Sequence, residues 1–247
     1  MNVLVCIDDT DSLESRGTGE LADLLAREVE KRGWGRCCSI TRHQLYVHPD
    51  IPYTSHNSSM CFTASIEEEH LPRLTEFASG FLAEESAEGS DPGLCIAVAE
   101  RLSRPDRLVE FGYRAKKSVI EMKDAYGLAE EEGVHLSSHG GTGQGIIGAL
   151  AGVGLRLGGN DGRMRGSIEI PGANGLVSVR EILSLPEVDA VRTMEGVSPD
   201  DTDMVRLVDK VKTVLLGGKL VLLVIPDEGG AGETRWRNCT RQQLKGY

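Results

Sequence analysis

Apolar and polar positions in the first 105 residues alternate in a way that predicts strands separated by helices. Residues 3–7 form a short apolar run with several β-branched side chains, which predicts a buried strand, and residues 20–30 have the spacing of an amphipathic helix. Further strands are expected at 36–47, 60–66 and 93–98, and a further helix at 71–83. The order βαββαβ is the ferredoxin-like pattern, so residues 1–105 are predicted to form a ferredoxin-like unit.

The rest of the chain predicts a second α/β unit over residues 106–247, after a linker at 101–107. Helices are expected at 113–131, 146–155, 177–185 and 203–216, and strands at 167–170, 188–194 and 219–226. Residues 135–139 fit either a short strand or an extended loop. Because strands and helices alternate along both halves, the fold class is predicted to be α/β (α+β).

Three carboxylates follow the first predicted strand within four positions, namely Asp8, Asp9 and Asp11. In α/β proteins, ligands usually bind at the carboxyl ends of strands. Neighbouring carboxylates repel one another unless a cation lies between them, and ligation by oxygen alone suits Mg²⁺ or Mn²⁺. The alternative is an ordinary polar turn, since Asp favours turns and helix N-caps. We predict a metal site with Asp8, Asp9 and Asp11 as its ligands.

A second candidate site is the glycine-rich segment at 140–145, which precedes an apolar predicted helix. Such a loop aims backbone N–H groups at a phosphate, and the helix N-terminus adds a partial positive charge. The predicted phosphate-binding residues are His139, Gly140, Gly141, Thr142, Gly143 and Gly145. The spacing fits neither Walker A nor the dinucleotide fingerprint, and a simple turn is the alternative. Gly148 and Gly152, one turn apart, would let the helix pack closely on a neighbour.

The formal net charge of −11 bears on the choice of partner. A surface that neutralises many phosphates is usually basic, so this charge counts against a large nucleic-acid footprint. It does not count against a nucleotide held by Mg²⁺. The last 14 residues are an exception, with four Lys or Arg and no acid. That tail would either contact a phosphate or be a solvated terminus.

The composition predicts a cytoplasmic protein without a membrane partner. No run of 18 apolar residues is present, and the first residues lack the basic region and cleavage site of a secretory signal. The six cysteines lie mostly singly within apolar runs and form no Cys-x-x-Cys pair. They are therefore predicted to be reduced core residues rather than zinc ligands.

Several motifs occur in one order that is similar to a known family. They are Ile7-Asp8-Asp9-Thr10-Asp11-Ser12, Gly17-Thr18, Leu21-Ala22, Ile51-Pro52-Tyr53, Pro92-Gly93 and the run from Gly143 to Leu150. The chain resembles the N-terminal half, the kinase-like and ferredoxin-like part, of the archaeal tRNA(Ile) 2-agmatinylcytidine synthetase, TiaS. We expect the resemblance to run the full length of the chain. Its most specific part is the Asp-Asp-Thr-Asp-Ser block.

The resemblance implies an enzyme that uses ATP and Mg²⁺ to phosphorylate the carbonyl oxygen of an anticodon cytidine, after which agmatine displaces the phosphate. Carried over by position, Asp8, Asp9 and Asp11 would hold the metal and the ATP phosphates. Thr18 falls on the threonine that becomes phosphorylated in the family. The segment 140–145 falls on the triphosphate-binding loop. Metal-binding acids and a backbone phosphate loop are what phosphoryl transfer requires.

The chain also departs from the family. It is expected to be a stand-alone relative, since it stops where the family continues into an OB-fold and a zinc ribbon. Thr54 and His56 stand where the family has basic residues, and Gly19 replaces a threonine. Thr18 itself could instead be a helix N-cap.

Three hypotheses follow. The first is a phosphotransferase acting on a nucleoside, tRNA cytidine included, or on a small molecule. The second is a non-catalytic nucleotide-binding module or a separated subunit, whose protein partner carries the RNA-binding modules. The third is a metal-dependent hydrolase.

Overall fold

The structure of the protein is a computed structural model that describes residues 1–51, 53, 56–171, 175–227 and 234–247. The chain divides into two units, which we call unit 1 (Met1–Gly158) and unit 2 (Gly159–Tyr247). The predicted division at 105/106 differs from this one. No helix in the described part of the chain has the length and apolarity that crossing a membrane requires.

Unit 1 is built on an antiparallel sheet. Its strands are β1 (Asn2–Asp8), β2 (Gly35–Cys37), β3 (Thr41–Gln44), β4 (Ser58–Ile66), β5 (Gly93–Val98) and β6 (His135–Ser138). The strand order is β6-β5-β1-β4-β3, and β2 also pairs with β4. The predicted ferredoxin-like arrangement is thus confirmed, except that the predicted strand 36–47 is split into β2 and β3.

Helices cover both faces of this sheet. They are α1 (Thr18–Lys31), α2 (Leu71–Glu85), α3 (Pro105–Ala115), α4 (Met122–Glu132) and α5 (Gly145–Gly158). Side chains alternate along β1, so Val3, Val5 and Ile7 pack with α1 and α2, whereas Leu4 and Cys6 pack with α3, α4 and α5. A strand that is buried on both faces needs a continuous apolar sequence, which explains the opening run.

This two-sided packing explains why the boundary between the units lies later than predicted. The predicted linker 101–107 contains the start of α3, and α3 and α5 both contribute to the core beneath the sheet. Residues 105–158 therefore complete the first unit by covering its second face. A sequence pattern detects helices but does not say which sheet they cover.

The α5 helix lies unusually close to β1 because of its glycines. A Cβ atom at Gly148 would collide with the carboxylate of Asp8, and one at Gly152 would collide with the Cys6 thiol. The prediction that these glycines permit close packing is confirmed. As a result, the first turns of α5 reach the carboxyl end of β1.

Unit 2 consists mainly of strands. They are β7 (Arg163–Met164), β8 (Leu176–Ser178), β9 (Ala190–Thr193), β10 (Met204–Arg206), β11 (Thr213–Leu216), β12 (Lys219–Pro226) and β13 (Thr234–Asn238). The order is β7-β11-β12-β13-β10-β8, with β9 parallel to β12. The described residues of this unit include one short helix, α6 (Val179–Leu183).

The predicted amphipathic helix at 203–216 is wrong. This segment contains β10 and β11, and β11 forms a hairpin with β12 through Gly217 and Gly218, whose φ angles are 59° and 71°. The segment is rich in valine, which suits a strand as well as a helix face. Pairing with the strongly apolar β12 decides the outcome. The predicted helix at 177–185 is likewise shared between β8 and α6.

Candidate functional site

Unit 1 contains a pocket at the carboxyl end of β1. Four carboxylates line it, namely Asp8, Asp9, Asp11 and Asp50. Apolar side chains, among them Leu45, Ile51, Val119 and Ile120, form another part of the wall. The start of α5 contributes Gln144, Gly145 and Gly148. The acidic motif and the end of the glycine-rich segment therefore meet in one place.

The carboxylates at the end of β1 are under electrostatic strain. Asp8 is 7% exposed, and burial, together with the charges of Asp9 and Asp11, raises its pKa well above the usual value. Burial and the charges of Asp91 and Asp11 raise the pKa of Asp9 to about 6. Among the described lining residues there is no Lys or Arg. The raised pKa values mean that positive charge does not compensate the ionised carboxylates of Asp8 and Asp9. A bound cation would supply that charge.

Asp9 also has an unusual backbone. Its φ angle is 48°, and it is the one non-glycine residue in the described part of the chain with a positive φ. Such a conformation costs about 1–3 kcal/mol and occurs often at functional sites. The chain turns sharply here, directly after the buried strand.

The carboxylates do not form a finished metal site. Within the described residues, no three His, Cys, Asp or Glu side chains are arranged so that they could hold a metal ion together. Mg²⁺ commonly takes only one or two protein carboxylates and fills its remaining positions with water and substrate phosphates. The donor chemistry fits Mg²⁺, and the ligand set Asp8, Asp9 and Asp11 stays a prediction.

Thr18 lies in the same pocket. It is the first residue of α1, and the N-cap position is occupied by Gly17. The Thr18 hydroxyl donates to Asp11 Oδ1 at 3.1 Å and accepts from the Thr10 hydroxyl at 3.1 Å. The N-cap alternative is therefore wrong, because this hydroxyl points to the acidic motif rather than to its own helix.

Most of the predicted phosphate loop does not face the pocket. Gly145 lines it, but Gly140, Gly141, Thr142 and Gly143 are not among its lining residues. Instead, this loop wraps around the carboxylate of Asp91, which accepts from the Thr142 hydroxyl at 2.8 Å, the Gly143 N–H at 2.9 Å and the Thr142 N–H. Backbone groups predicted to bind a phosphate thus bind an acidic side chain.

His139 lies outside the pocket as well. Its Nε2 is 2.8 Å from the Ser137 hydroxyl, which is 2.9 Å from His135 Nε2. Burial and the neighbouring His135 lower the pKa of His139. The structure therefore gives it a place in a row of hydrogen-bonded side chains that begins on the edge strand β6.

Sequence reasoning missed Asp91, although a signal was present. Asp91 stands two residues before Gly93, and Gly93 pairs with Asp8 across the antiparallel strands β5 and β1. An acid just before β5 is thereby brought to the same end of the sheet as an acid at the end of β1. The apolar wall was missed too, because its residues come from three separate segments.

Comparison with known proteins identifies the class to which this acid-lined ferredoxin-like unit is similar. The crystal structure of apo TiaS, an isoleucine-tRNA agmatidine synthetase, superimposes with a TM-score of 0.53 at 28% identity, covering 62% of this chain and 35% of that one. A crystal structure of TiaS in complex with isoleucine tRNA and ATP covers 82% of this chain with a TM-score of 0.55, at 23% identity, and so supports the fold alone.

Sequence comparison agrees. The isoleucine-tRNA 2-agmatinylcytidine synthetase TiaS of Methanosarcina acetivorans is 31% identical over 159 residues, which are 63% of this chain and 36% of that protein. An uncharacterised protein of Methanocaldococcus jannaschii is 32% identical over 154 residues, 62% of this chain and 49% of its own. No family model matches the chain.

The chain is thus a partial relative of TiaS, as its motifs predicted. It spans between one third and one half of the length of these curated relatives. The sequence similarity covers less than two thirds of the chain, so the expectation of a full-length resemblance is corrected.

Proposed function

We propose that the pocket of unit 1 binds magnesium-ATP and that the chain is an ATP-dependent phosphotransferase similar to the kinase part of TiaS. Its acceptor would be a carbonyl oxygen of a nucleoside, such as a tRNA cytidine, or of a small molecule. The observation that carries the proposal is the convergence of Asp8, Asp9 and Asp11 with the start of α5 in one pocket. A relative that matches 63% of the chain at 31% identity is named as an isoleucine-tRNA 2-agmatinylcytidine synthetase.

Charge supports the metal part of this proposal. A triphosphate would be repelled by a pocket with four carboxylates and no described basic lining residue. Asp8, Asp9 and Asp11 would hold Mg²⁺, which supplies charge neutralisation when bound. The same cation would relieve the repulsion that raises the pKa of Asp8 and Asp9.

The other walls suit the remaining parts of a nucleotide. The first turn of α5 presents its N-terminus, where the partial positive charge of a helix favours phosphate. The apolar side chains Leu45, Val119 and Ile120 offer a surface on which a base would stack.

Thr18 is the best-placed group to receive a phosphoryl group. Its hydroxyl already donates to Asp11, so Asp11 is within reach to take the proton as the oxygen attacks. The resemblance assigns the phosphorylated threonine to the same position.

A second function, a non-catalytic nucleotide-binding module or separated subunit, is favoured by a different observation. Asp91 occupies the N–H groups of Thr142 and Gly143, so part of the expected triphosphate loop is already bound to a carboxylate. A protein of this kind would bind ATP without turning it over. It would depend on a partner for contact with RNA.

The first experiment is a thermal shift with ATP, with and without Mg²⁺. At about 100 times its dissociation constant, magnesium-ATP should raise the melting temperature by about 5–10 °C, and EDTA should remove this effect. The double variant Asp8→Asn, Asp9→Asn should lose it. Glu76→Gln, at an exposed acid on α2, is the matched control and should keep it. The absence of any shift in the unaltered protein would contradict the proposal.

Mass spectrometry after incubation with magnesium-ATP separates the two functions. Phosphate on Thr18, absent in Thr18→Val, together with ADP or AMP in solution, is expected for the phosphotransferase. Binding with an unmodified chain and no nucleotide product would instead support the binding module. Phosphatase activity on simple phosphoesters without nucleotide would point to a hydrolase.

A further inference from the structure

Basic side chains gather at one place in unit 2. Arg163 lies opposite Val214 where β7 and β11 pair antiparallel, so Arg165 and Lys212 come to the same end of this strand pair. Arg163 Nη1 also donates to the backbone carbonyl of Arg241 at 3.5 Å. We call the following five residues the cationic cluster: Arg163, Arg165, Lys210, Lys212 and Arg241.

The acid beside this cluster is Asp209, whose carboxylate interacts with the charges of Lys210 and Arg241. Within the described part of the chain, Arg163, Lys210, Lys212 and Arg241 form no ion pair with a carboxylate. The adjacent acid Asp209 uses one oxygen on the Lys210 N–H at 2.7 Å and the other on the Arg241 N–H at 2.9 Å. The Asp209 carboxylate thus anchors the backbone of the cluster, and the positive charges of Lys210 and Arg241 help to lower its pKa, so it offsets part of the charge of the cluster.

The positive charges are also partly withdrawn from water. Arg163 is only 5% exposed, and Lys212 is half-buried, with its ammonium bonded to the Gly166 carbonyl. Burial and the positive charges of Arg163, Arg241, Lys210 and Arg165 lower the pKa of Lys212 to about 8. Like charges held together at low exposure destabilise a fold unless an anion compensates them.

The charge of unit 2 permits such an anion to approach. It contains 12 Lys and Arg against 13 Asp and Glu, whereas unit 1 contains 15 against 25. The acidity of the whole chain thus belongs to unit 1. The net charge of unit 2 is close to zero, so it does not repel an anion that approaches the positive surface of the cationic cluster.

We propose that the cationic cluster of unit 2 binds a phosphate group, supplied either by a polynucleotide backbone or by a free phosphate. Arginine forks and lysine ammonium groups are the side chains that bind phosphate in proteins. Arg165, Lys210 and Arg241 are exposed and would make the outer contacts. The half-buried Lys212 would add positive charge beneath these outer contacts.

Titration of the whole protein in EDTA tests this proposal, because without a divalent cation the acidic pocket of unit 1 repels phosphate. The probes are a short fluorescein-labelled single-stranded RNA, followed by anisotropy, and inorganic phosphate, followed by thermal shift. Lys212→Met and Arg165→Gln should each weaken binding on the order of fivefold. For the RNA, each variant should also make the slope of log K against log salt shallower by about 0.7.

The matched control is Lys219→Met, which removes an exposed lysine of the same unit outside the cluster. It should leave affinity and salt slope unchanged. Lys212→Met removes repulsion, so its melting temperature should be equal to or above that of the unaltered protein. Such a melting temperature would show that the weaker binding of Lys212→Met does not come from a loss of folding.

The two phosphate sources give different outcomes. RNA binding that depends on the cluster supports the polynucleotide backbone, and a phosphate-dependent thermal shift without RNA binding supports the free anion. The proposal is overturned when neither probe binds, or when Lys219→Met reduces binding as much as Lys212→Met does. Neither outcome depends on ATP binding in unit 1.

Discussion

At the scale of single residues, Asp9 combines an unfavourable backbone conformation with surroundings that disfavour its ionised form. Its φ of 48° turns the chain so that the carboxylates of the acidic motif line one pocket. Its pKa is raised from 3.8 to about 6 by burial and by Asp91 and Asp11. Since these effects oppose ionisation, ionised Asp9 stabilises the fold less than protonated Asp9 does until a cation binds.

The pH dependence of folding stability should reveal that the folded state disfavours ionised Asp9. The folded state holds the Asp9 proton to higher pH than the unfolded chain, so this residue contributes stability below about pH 4, which is lost as pH rises through about 6. In urea unfolding with EDTA, the free energy of unfolding should therefore fall as pH rises over this range. It should fall less for Asp9→Asn than for the unaltered protein. The effect should be modest because solvent screens a partly exposed carboxylate.

Mg²⁺ gives the corresponding control. Because it binds the ionised form, its stabilising effect on the unaltered protein should grow as pH rises through about 6 and should be reduced in Asp9→Asn. An identical pH profile for the two proteins, with and without Mg²⁺, would show that Asp9 is neither strained nor part of a metal site.

At the scale of elements, α5 determines the shape of the site. Its glycines let the helix lie against β1, so that Gly148 faces the Asp8 carboxylate without a side chain between them. The glycine-rich sequence before it is predicted to bind phosphate, yet much of it encloses Asp91. The glycines of α5 thus serve helix packing, and those of the preceding loop serve its closure around Asp91.

Paired glycine substitutions test this role of α5. Gly148→Ala should lower stability by about 1–3 kcal/mol, because a Cβ collides with Asp8 and packed cores resist added atoms. Gly80→Ala, in an exposed part of α2 with nothing within 4 Å of the new Cβ, should raise it by about 0.5–1 kcal/mol. Chemical denaturation measures both. Equal effects would show that α5 tolerates a side chain against β1.

At the scale of the whole molecule, the boundary and the charge of the two units matter most. Residues 105–158 supply α3, α4 and α5, which cover the face of the sheet to which Leu4 and Cys6 belong. The net charge of −11, which argues against nucleic acid, belongs almost wholly to unit 1. It therefore says nothing against an anion at unit 2.

The boundary can be tested by truncation. A chain of residues 1–158 should unfold cooperatively, since both faces of its sheet are covered. A chain of residues 1–105 should not, because the apolar face that α3, α4 and α5 bury would be exposed to water. Circular dichroism during thermal unfolding distinguishes them. Cooperative unfolding of the shorter chain would restore the predicted division.

Local sequence patterns determined the elements and motifs whose evidence lies within a few residues. The strands β1 and β12, the helices α1 and α2 and the acidic motif after β1 were all predictable, because apolar spacing and side-chain chemistry are local properties. The ferredoxin-like order followed from the sequence of these elements.

Tertiary structure alone decided whatever depends on contacts between distant segments. Pairing with β12 makes β11 a strand, although the pattern at 203–216 suited a helix, and packing against the sheet assigns α3 to unit 1. Asp91 fills the glycine loop because antiparallel pairing of β5 with β6, which sets Gly93 opposite Ser138, brings it there. Such outcomes depend on which surfaces meet, and a linear pattern carries no information about that.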